Sequence, residues 1–229
     1  MRAGGRGPVV TLDGPAGAGK TSTAKEVARR LGLRHLDSGA LYRALTFALL
    51  EAGIPEERWP ELEPDDLRAL DVTLVGVGGG FEVRAGDHAR GGELRTPEVT
   101  SRVSLLARLP AARACLLELQ KAAGELGGLV ADGRDMGSVV FPDADVKVFL
   151  VADLHERARR RLLQDGAASG SPETLAAEAE AIAHRDGQDA GRDISPLLRP
   201  DGAVEIDTTE LSFEEQVDAI VSLVHRLTL

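Results

Sequence analysis

Residues 8–21, PVVTLDGPAGAGKT, decide the fold of this 229-residue chain. Residues 8–13 form a short apolar run typical of a buried strand, and residues 21–33 carry apolar side chains at helical spacing. Between them, Gly14 to Thr21 matches the phosphate-loop pattern G-x-x-x-x-G-K-[ST] at every defined position. A strand, a glycine-rich turn and a helix in this order predict a loop that binds phosphate.

The residue types of this loop suit the binding of a nucleoside triphosphate. Glycine lets the backbone fold so that several N–H groups point at one anion, and the following helix adds the positive end of its dipole. Lys20 can reach the β- and γ-phosphates, and the Thr21 hydroxyl can hold Mg²⁺. We therefore expect this loop to bind a nucleoside triphosphate together with Mg²⁺. The predicted nucleotide-binding residues are Gly14, Pro15, Ala16, Gly17, Ala18, Gly19, Lys20, Thr21 and Ser22.

Composition excludes several classes of function. A formal net charge of −10 and an aromatic content of 3% do not suit a nucleic-acid-binding surface. The single cysteine, Cys115, excludes a disulfide framework, and no apolar run approaches the length of a membrane span. The opening stretch MRAGGRG lacks the apolar centre of a signal peptide. We expect a cytoplasmic monomer with no nucleic-acid or membrane partner.

Strand and helix patterns alternate along the rest of the chain. Further strands are predicted at residues 35–37, 71–77, 81–84, 129–131, 146–151 and 203–207. Further helices are predicted at residues 40–52, from Thr96 onward with a break at Pro110, at 153–164, at 174–183 and from Ser212 to about His225. Residues 54–64 are polar and predict a loop. This order indicates an α/β protein with a mostly parallel sheet flanked by helices.

A second group of charged residues follows other predicted strands. Asp132, Arg134 and Asp135 come just after the strand at 129–131, where ligands bind in open α/β sheets. Asp132 is also a candidate for holding the metal through water. Ser38 and Arg43 lie at a helix start, where Ser38 is also the expected N-cap. An acidic chain that gathers arginines near such a site favours a second phosphate ester as substrate.

Several interpretations remain open from the residues alone. The chain contains no asparagine, which excludes a GTPase loop of the Asn-Lys-x-Asp type. A kinase that phosphorylates a second phosphate ester, another small-molecule P-loop kinase and a regulatory module that binds nucleotide without transfer all remain possible. Each arginine taken singly also fits a solvated surface charge. His35, His184 and His225 show no metal-ligand spacing and predict no site.

Segments spread over residues 11 to about 215 together resemble the bacterial cytidylate kinase family, the CMP/dCMP kinases. They are TLDGPAGAGKTS, LDSGALYRA, ELRTPEV, ADGRDMGSVVFPDADVKVFL, ERARRR, RDGQDAGRDISPL and EIDTTELSFEE. The resemblance implies a P-loop NTPase core at 1–38, 114–156 and 192–229. It also implies a monophosphate-binding insert with a small antiparallel sheet at 39–113 and a helical lid at 157–191, most mobile at 164–171.

The resemblance implies phosphorylation of CMP and dCMP by ATP in a direct in-line transfer, and it assigns roles by motif. The implied catalytic residues are Lys20, Arg134, Arg157 and Arg161. The implied phosphate-binding residues of the acceptor site are Ser38, Arg43 and Arg134. The implied cytosine contacts are Ser104, Arg113 and Asp135. The implied residues around the ribose are Arg185, Asp189 and Arg192.

Overall fold

A computed structural model describes residues 7–86, 88–89, 91–164, 166 and 171–228. The strands are β1 (Val9–Asp13), β2 (Arg34–Asp37), β3 (Val72–Val77), β4 (Gly80–Ala85), β5 (His88–Ala89), β6 (Leu129–Asp132), β7 (Val146–Val151) and β8 (Val204–Asp207). The α-helices are α1 (Lys20–Leu31), α2 (Ser38–Glu51), α3 (Pro64–Arg68), α4 (Pro97–Leu106), α5 (Pro110–Gly124), α6 (Leu154–Gln164), α7 (Pro172–Ala190) and α8 (Phe213–Thr228). Most of the MRAGGRG stretch and most of the segment expected to be mobile lie outside the described residues.

The strands form one sheet in the order β3-β4-β2-β6-β1-β7-β8, with β5 paired to β4. From β2 to β8 every pairing is parallel, and β1 lies between β6 and β7 with Val10 opposite Val130 and Val146. The sheet core is apolar because these central strands are buried; Val10, Val130 and Val148 have no exposed surface. The predicted α/β class with a mostly parallel sheet is confirmed.

The predicted hairpin at residues 71–84 is confirmed, and it extends the main sheet. β3 and β4 pair antiparallel, while Gly80 of β4 lies opposite His35 of β2 in a parallel pairing. The strands approach so closely that a Cβ on Gly80 would lie 2.9 Å from the His35 carbonyl oxygen. Glycine at this position therefore permits the hairpin to join the edge of the parallel sheet.

The prediction of a loop at residues 54–64 is wrong. The chain forms a 3₁₀ helix at Glu56–Glu61 and begins α3 at Pro64. Trp59 is 1% exposed, and its indole Nε1–H donates to the Ile54 carbonyl oxygen at 2.9 Å. Burial of this large side chain favours an ordered turn where the local sequence is polar, at about 1.5–3 kcal/mol for a large apolar side chain.

The structure corrects one predicted helix cap, confirms another and lengthens one predicted helix. The N-cap of α2 is Asp37 and not Ser38, because the Asp37 carboxylate accepts from the Ala40 N–H at 3.0 Å. Ser212 and Glu215 form the predicted capping box before α8. The helix predicted at 174–183 extends to Ala190 as α7, which packs along α6. No helix in the part of the chain that the structure describes is long and apolar enough to cross a bilayer.

Candidate active site

A cleft of about 860 Å³ opens where β1, β2 and β6 end. The phosphate loop forms one wall, and the start of α2 and the loop after β6 form the floor. Side chains of α4, α5, α6 and α7 close the other sides. Parallel strands bring their carboxyl ends to one edge of the sheet, so segments far apart in sequence converge at this edge.

Tight backbone packing fixes the phosphate loop. Gly14 has φ +146°, and a Cβ there would lie 2.1 Å from the Leu150 carbonyl oxygen. Gly19 is the N-cap of α1 and has no side chain to cap the helix. The first-turn N–H groups of α1 therefore have no side-chain cap, as an anion-binding helix N-terminus requires.

Lys20 lies inside this loop as a poorly compensated cation. The side chain is 7% exposed, and Nζ donates to the Pro15 carbonyl oxygen at 2.5 Å. Burial, and then the nearby Arg134, hold the pKa of Lys20 well below its usual range. An anion beside Nζ would favour the charged form, so the loop is electrostatically suited to phosphate.

Asp132 connects the loop to the acceptor side of the cleft. Its Oδ2 accepts from the Thr21 hydroxyl at 2.6 Å, and its Oδ1 lies 2.7 Å from His35 Nε2. Because Asp132 accepts the hydroxyl hydrogen of Thr21, the lone pairs of the Thr21 oxygen stay available for a cation. A hydroxyl oxygen and nearby carboxylate oxygens fit Mg²⁺ bound together with nucleotide phosphates. Burial, and then the charge of Asp132, raise the pKa of Asp37.

Half-buried arginines concentrate positive charge opposite the loop. The Nε atoms of Arg43 and Arg185 are buried without a hydrogen-bond partner. Burial, and then the proximity of Arg134 and Arg43, lower the pKa of Arg185 to about 9. Burial also lowers the pKa of Arg43, which lies near Arg134 and Arg161. Such a cluster is expected where an anion supplies the missing charge.

Asp189 of α7 organises part of this cluster. Its carboxylate accepts from Arg134 Nε at 2.9 Å and from Arg192, and Ser104 Oγ donates to it at 3.4 Å. Burial alone would raise the pKa of Asp189, but Arg134 and Arg192 outweigh it and the pKa is lowered. Asp189 thus stays ionised and holds two arginines at the cleft.

Arg113 and Asp135 form a buried ion pair on the same side. Arg113 also donates to the Ala107 carbonyl oxygen at 3.1 Å and lies over the Tyr42 ring, 5.7 Å from its centroid. Burial raises the pKa of Asp135, while Arg113 opposes that shift. The pair presents guanidinium donors and carboxylate acceptors side by side.

Asp13 was missed by the sequence analysis and fixes the loop that carries Asp135. It ends β1, has no exposed surface, and accepts from the backbone N–H groups of Met136 and Gly137 at 2.8 Å each. Those residues begin a π-type turn, Met136–Val140. Burial raises the pKa of Asp13 to about 6. An acid at the end of an apolar strand was the available signal.

The structure brings most of the predicted residues to one cleft. Its walls include Ala16, Gly17, Gly19, Lys20, Thr21, Ser22, Ser38, Arg43, Ser104, Arg113, Asp132, Arg134, Asp135, Arg161, Arg185, Asp189 and Arg192. Gly14, Pro15 and Ala18 lie behind this surface. Ser38 Oγ accepts from Gln120 Nε2 at 2.7 Å.

Arg157 also lies behind the loop. Its guanidinium donates to the Ala16 carbonyl oxygen at 2.9 Å and to Asp186, whose other oxygen accepts from the Ala16 N–H at 2.8 Å. It therefore braces the phosphate loop against α7 in this structure. The role at the transferring phosphate that the resemblance implies for Arg157 stays a prediction.

A phosphate loop facing a second cationic site across one cleft defines a P-loop nucleotide-binding protein with room for a second anionic ligand. The chain belongs to the cytidylate kinase family, whose model matches residues 10–226. It is similar to the cytidylate kinase of Streptomyces griseus, at 42% identity over 218 residues that cover 94% of this chain and 92% of the relative. The resemblance read from the sequence is confirmed.

Other relatives are longer. The chain is 44% identical over 219 residues to the bifunctional pantoate ligase/cytidylate kinase of Synechococcus sp. (strain WH7803), covering 95% of this chain and 44% of that protein. It spans less than half the length of the bifunctional relatives it matches. A solved shikimate kinase from Bacteroides thetaiotaomicron has 16% identity and a TM-score of 0.48, covering 95% of this chain and 98% of that one.

Proposed function

We propose that this protein transfers the γ-phosphate of ATP to CMP or dCMP, giving ADP and CDP or dCDP, in the presence of Mg²⁺. The observation that carries the proposal is the half-buried arginine cluster that faces the phosphate loop across one cleft. A module that only binds nucleotide has no use for a second cationic site. The family of the chain supports CMP as the acceptor.

On the donor side, the backbone of the phosphate loop and Lys20 would hold the triphosphate. Thr21 would hold Mg²⁺, with Asp132 keeping the hydroxyl hydrogen on the far side. Bound Mg²⁺ would supply charge neutralisation between the β- and γ-phosphates. Arg157 would keep the loop in its conformation through the Ala16 carbonyl oxygen.

On the acceptor side, Ser38, Arg43 and Arg134 would bind the monophosphate. An oxygen of this phosphate forms a bond to the γ-phosphorus while the bond from phosphorus to the β–γ bridging oxygen breaks and ADP leaves. The attacking oxygen is already ionised at neutral pH, so the reaction needs no general base. Lys20, Arg134 and Arg161 would offset the repulsion between the two polyanions.

Base recognition would depend on the pair formed by Arg113 and Asp135. Cytosine presents acceptors at O2 and N3, which suit the donors of Arg113. Its N4 amino group suits acceptors on Asp135 and Ser104. Asp189, with Arg185 and Arg192, would contact the ribose. The ion pair between Arg113 and Asp135 would hold both side chains in orientation before cytosine binds.

Two segments would move around this site. We assign residues 39–113 to monophosphate binding and residues 157–191 to a lid that excludes water when it closes, so that ATP is not hydrolysed. The contact of Asp186 with the Ala16 N–H links the second of these segments to the phosphate loop. We expect the protein to act as a monomer in the cytoplasm.

Transfer of a radiolabelled γ-phosphate tests the proposal. With ATP, Mg²⁺ and CMP, the label should appear in CDP, and little should appear as free phosphate. Arg43→Met should remove most transfer, while Arg29→Met, which removes an exposed arginine of α1, should not. Label transferred to an acceptor other than a nucleotide would support another P-loop kinase, and tight ATP binding without transfer to any acceptor would support a regulatory module.

A further inference from the structure

His35 lies where the sheet brings it to a carboxylate of the active site. It precedes Asp37 by two residues in β2, so both side chains leave the same face of the strand. β2 pairs in parallel with β6, and Asp37 stands opposite Asp132. This register lets the His35 imidazole reach forward to Asp132, with Nε2 2.7 Å from Oδ1.

The Asp132 carboxylate is thereby bound at both oxygens. Oδ2 accepts from the Thr21 hydroxyl at 2.6 Å, and Asp132 is 2% exposed, so bulk water has little access to it. An ionised carboxylate only accepts hydrogen bonds, so His35 must carry its hydrogen on Nε2 for this contact. His35, Asp132 and Thr21 thus form a hydrogen-bonded chain of side chains from β2 to the phosphate loop.

We propose that His35 is a positioning residue for the cation that accompanies ATP. By holding Oδ1, His35 prevents rotation of the Asp132 carboxylate and keeps Oδ2 directed at Thr21. Thr21 then gives its hydrogen to Asp132 and turns its lone pairs toward the cleft that it lines. The inference rests on the proposed use of ATP with Mg²⁺, and it does not depend on the identity of the acceptor.

Two near-isosteric replacements separate hydrogen bonding from packing. His35→Gln keeps an N–H donor at similar reach, whereas His35→Met fills similar space without a donor. The main-chain contact of residue 35, its N–H donating to the Gly79 carbonyl oxygen at 3.1 Å, is open to both replacements. His225→Met, at an exposed position of α8, is the control for loss of a histidine.

The decisive readout is the gain in nucleotide affinity that Mg²⁺ provides. The dissociation constant of a fluorescent ATP analogue is measured with Mg²⁺ and with chelator, and the ratio is compared between variants. Outer-shell partners of metal ligands typically change metal affinity by about 10-fold or more, so His35→Met should reduce the ratio about 10-fold. His35→Gln and His225→Met should stay close to the unmodified protein.

Catalysis gives a second readout that a packing role would not produce. In His35→Met, the Mg²⁺ concentration for half-maximal transfer should rise, while kcat at saturating Mg²⁺ changes much less. An unchanged affinity ratio in His35→Met, or equal losses in the Gln and Met variants, would overturn the proposal. Absence of CMP turnover in the unmodified protein would refute the proposed acceptor and leave the affinity ratios interpretable.

A measurement on the unmodified protein covers the case in which the variants do not fold. Nitrogen NMR of the His35 imidazole reports which ring nitrogen carries hydrogen. A protonated Nε2 is expected, since it alone can donate to Asp132. An imidazole that carries its hydrogen on Nδ1 only could not donate from Nε2 to Asp132, and this result would exclude the proposed hydrogen-bonded chain.

Discussion

Replacement of Asp189 by Asn should destabilise the ligand-free protein through the arginines it leaves behind. Asp189 accepts from Arg134 and Arg192, and its side chain is 2% exposed. Arg192 is itself 6% exposed at the side chain and Arg134 18%, so neither can recover much hydration. Breaking one partner from a buried ion pair costs about 3–5 kcal/mol.

Because asparagine keeps one oxygen acceptor, the expected loss in the free energy of unfolding is at the lower end of this range, about 3 kcal/mol. For a chain of this size, each kcal/mol lowers Tm by about 2–4 °C, so the expected loss is about 6–12 °C. Calorimetry in a buffer free of phosphate and sulfate measures it. Added sulfate should raise the Tm of Asp189→Asn more than that of the unmodified protein, because the variant has more uncompensated positive charge.

The control is Glu180→Gln, an exposed position on the same helix that also removes one negative charge. Its stability should stay within about 0.5 kcal/mol of the unmodified protein. A Tm for Asp189→Asn within about 2 °C of the Tm of the unmodified protein would refute the reasoning. So would equal stabilisation of both proteins by sulfate.

Further predictions concern the loop and the strand before it. Lys20→Ala should lower kcat by about 10²–10³ without lowering Tm, since the ammonium is costly to bury; near-normal turnover would contradict the loop assignment. Gly14→Ala should destabilise the fold by about 1–3 kcal/mol because alanine is strained at this positive φ, and by more because its Cβ would contact Leu150. Gly76→Ala is the control, since a Cβ there would meet open space. Equal denaturation midpoints for the two variants would contradict the prediction. The pKa of Asp13 is raised from 3.8 to about 6, so the folded protein holds the Asp13 proton more strongly than the unfolded chain does. The free energy of unfolding, measured relative to that of Asp13→Asn, should therefore fall by about 3 kcal/mol as the pH rises from about 4 to 7. Urea titrations at several pH values that give parallel profiles for both proteins would contradict the Asp13 assignment.

The phosphate loop could be predicted because its determinants are contiguous in sequence. Strand, glycines, lysine and helix follow one another from Val9 to Leu31, and the structure places them in that order. The order of the strands in the sheet could not be predicted in this way. It depends on which strands pair, and residues such as Leu129 and Arg34 become neighbours only through the β2–β6 pairing.

The residues that were missed depend on those long-range pairings. His35 reaches Asp132 only because β2 lies beside β6. Asp13 reaches Met136 only because β1 also lies beside β6. Helical spacing correctly placed Arg157 and Arg161 on one helix, α6. It could not indicate that one of them binds the back of the phosphate loop, since that contact is shared with α7.

The central claim, that the protein phosphorylates cytidine monophosphates, is tested most directly by kcat/KM for CMP, dCMP, UMP, AMP and GMP in parallel, followed as ADP release. Uracil would direct an N–H at Arg113 and a carbonyl at Asp135, and each unpaired buried group costs about 1–3 kcal/mol. We predict that CMP and dCMP exceed UMP by about 10²–10⁴ and that purines react least. In Arg113→Met, CMP turnover should fall and the gap to UMP should narrow. Use of UMP within a few-fold of CMP by the unmodified protein would contradict the account.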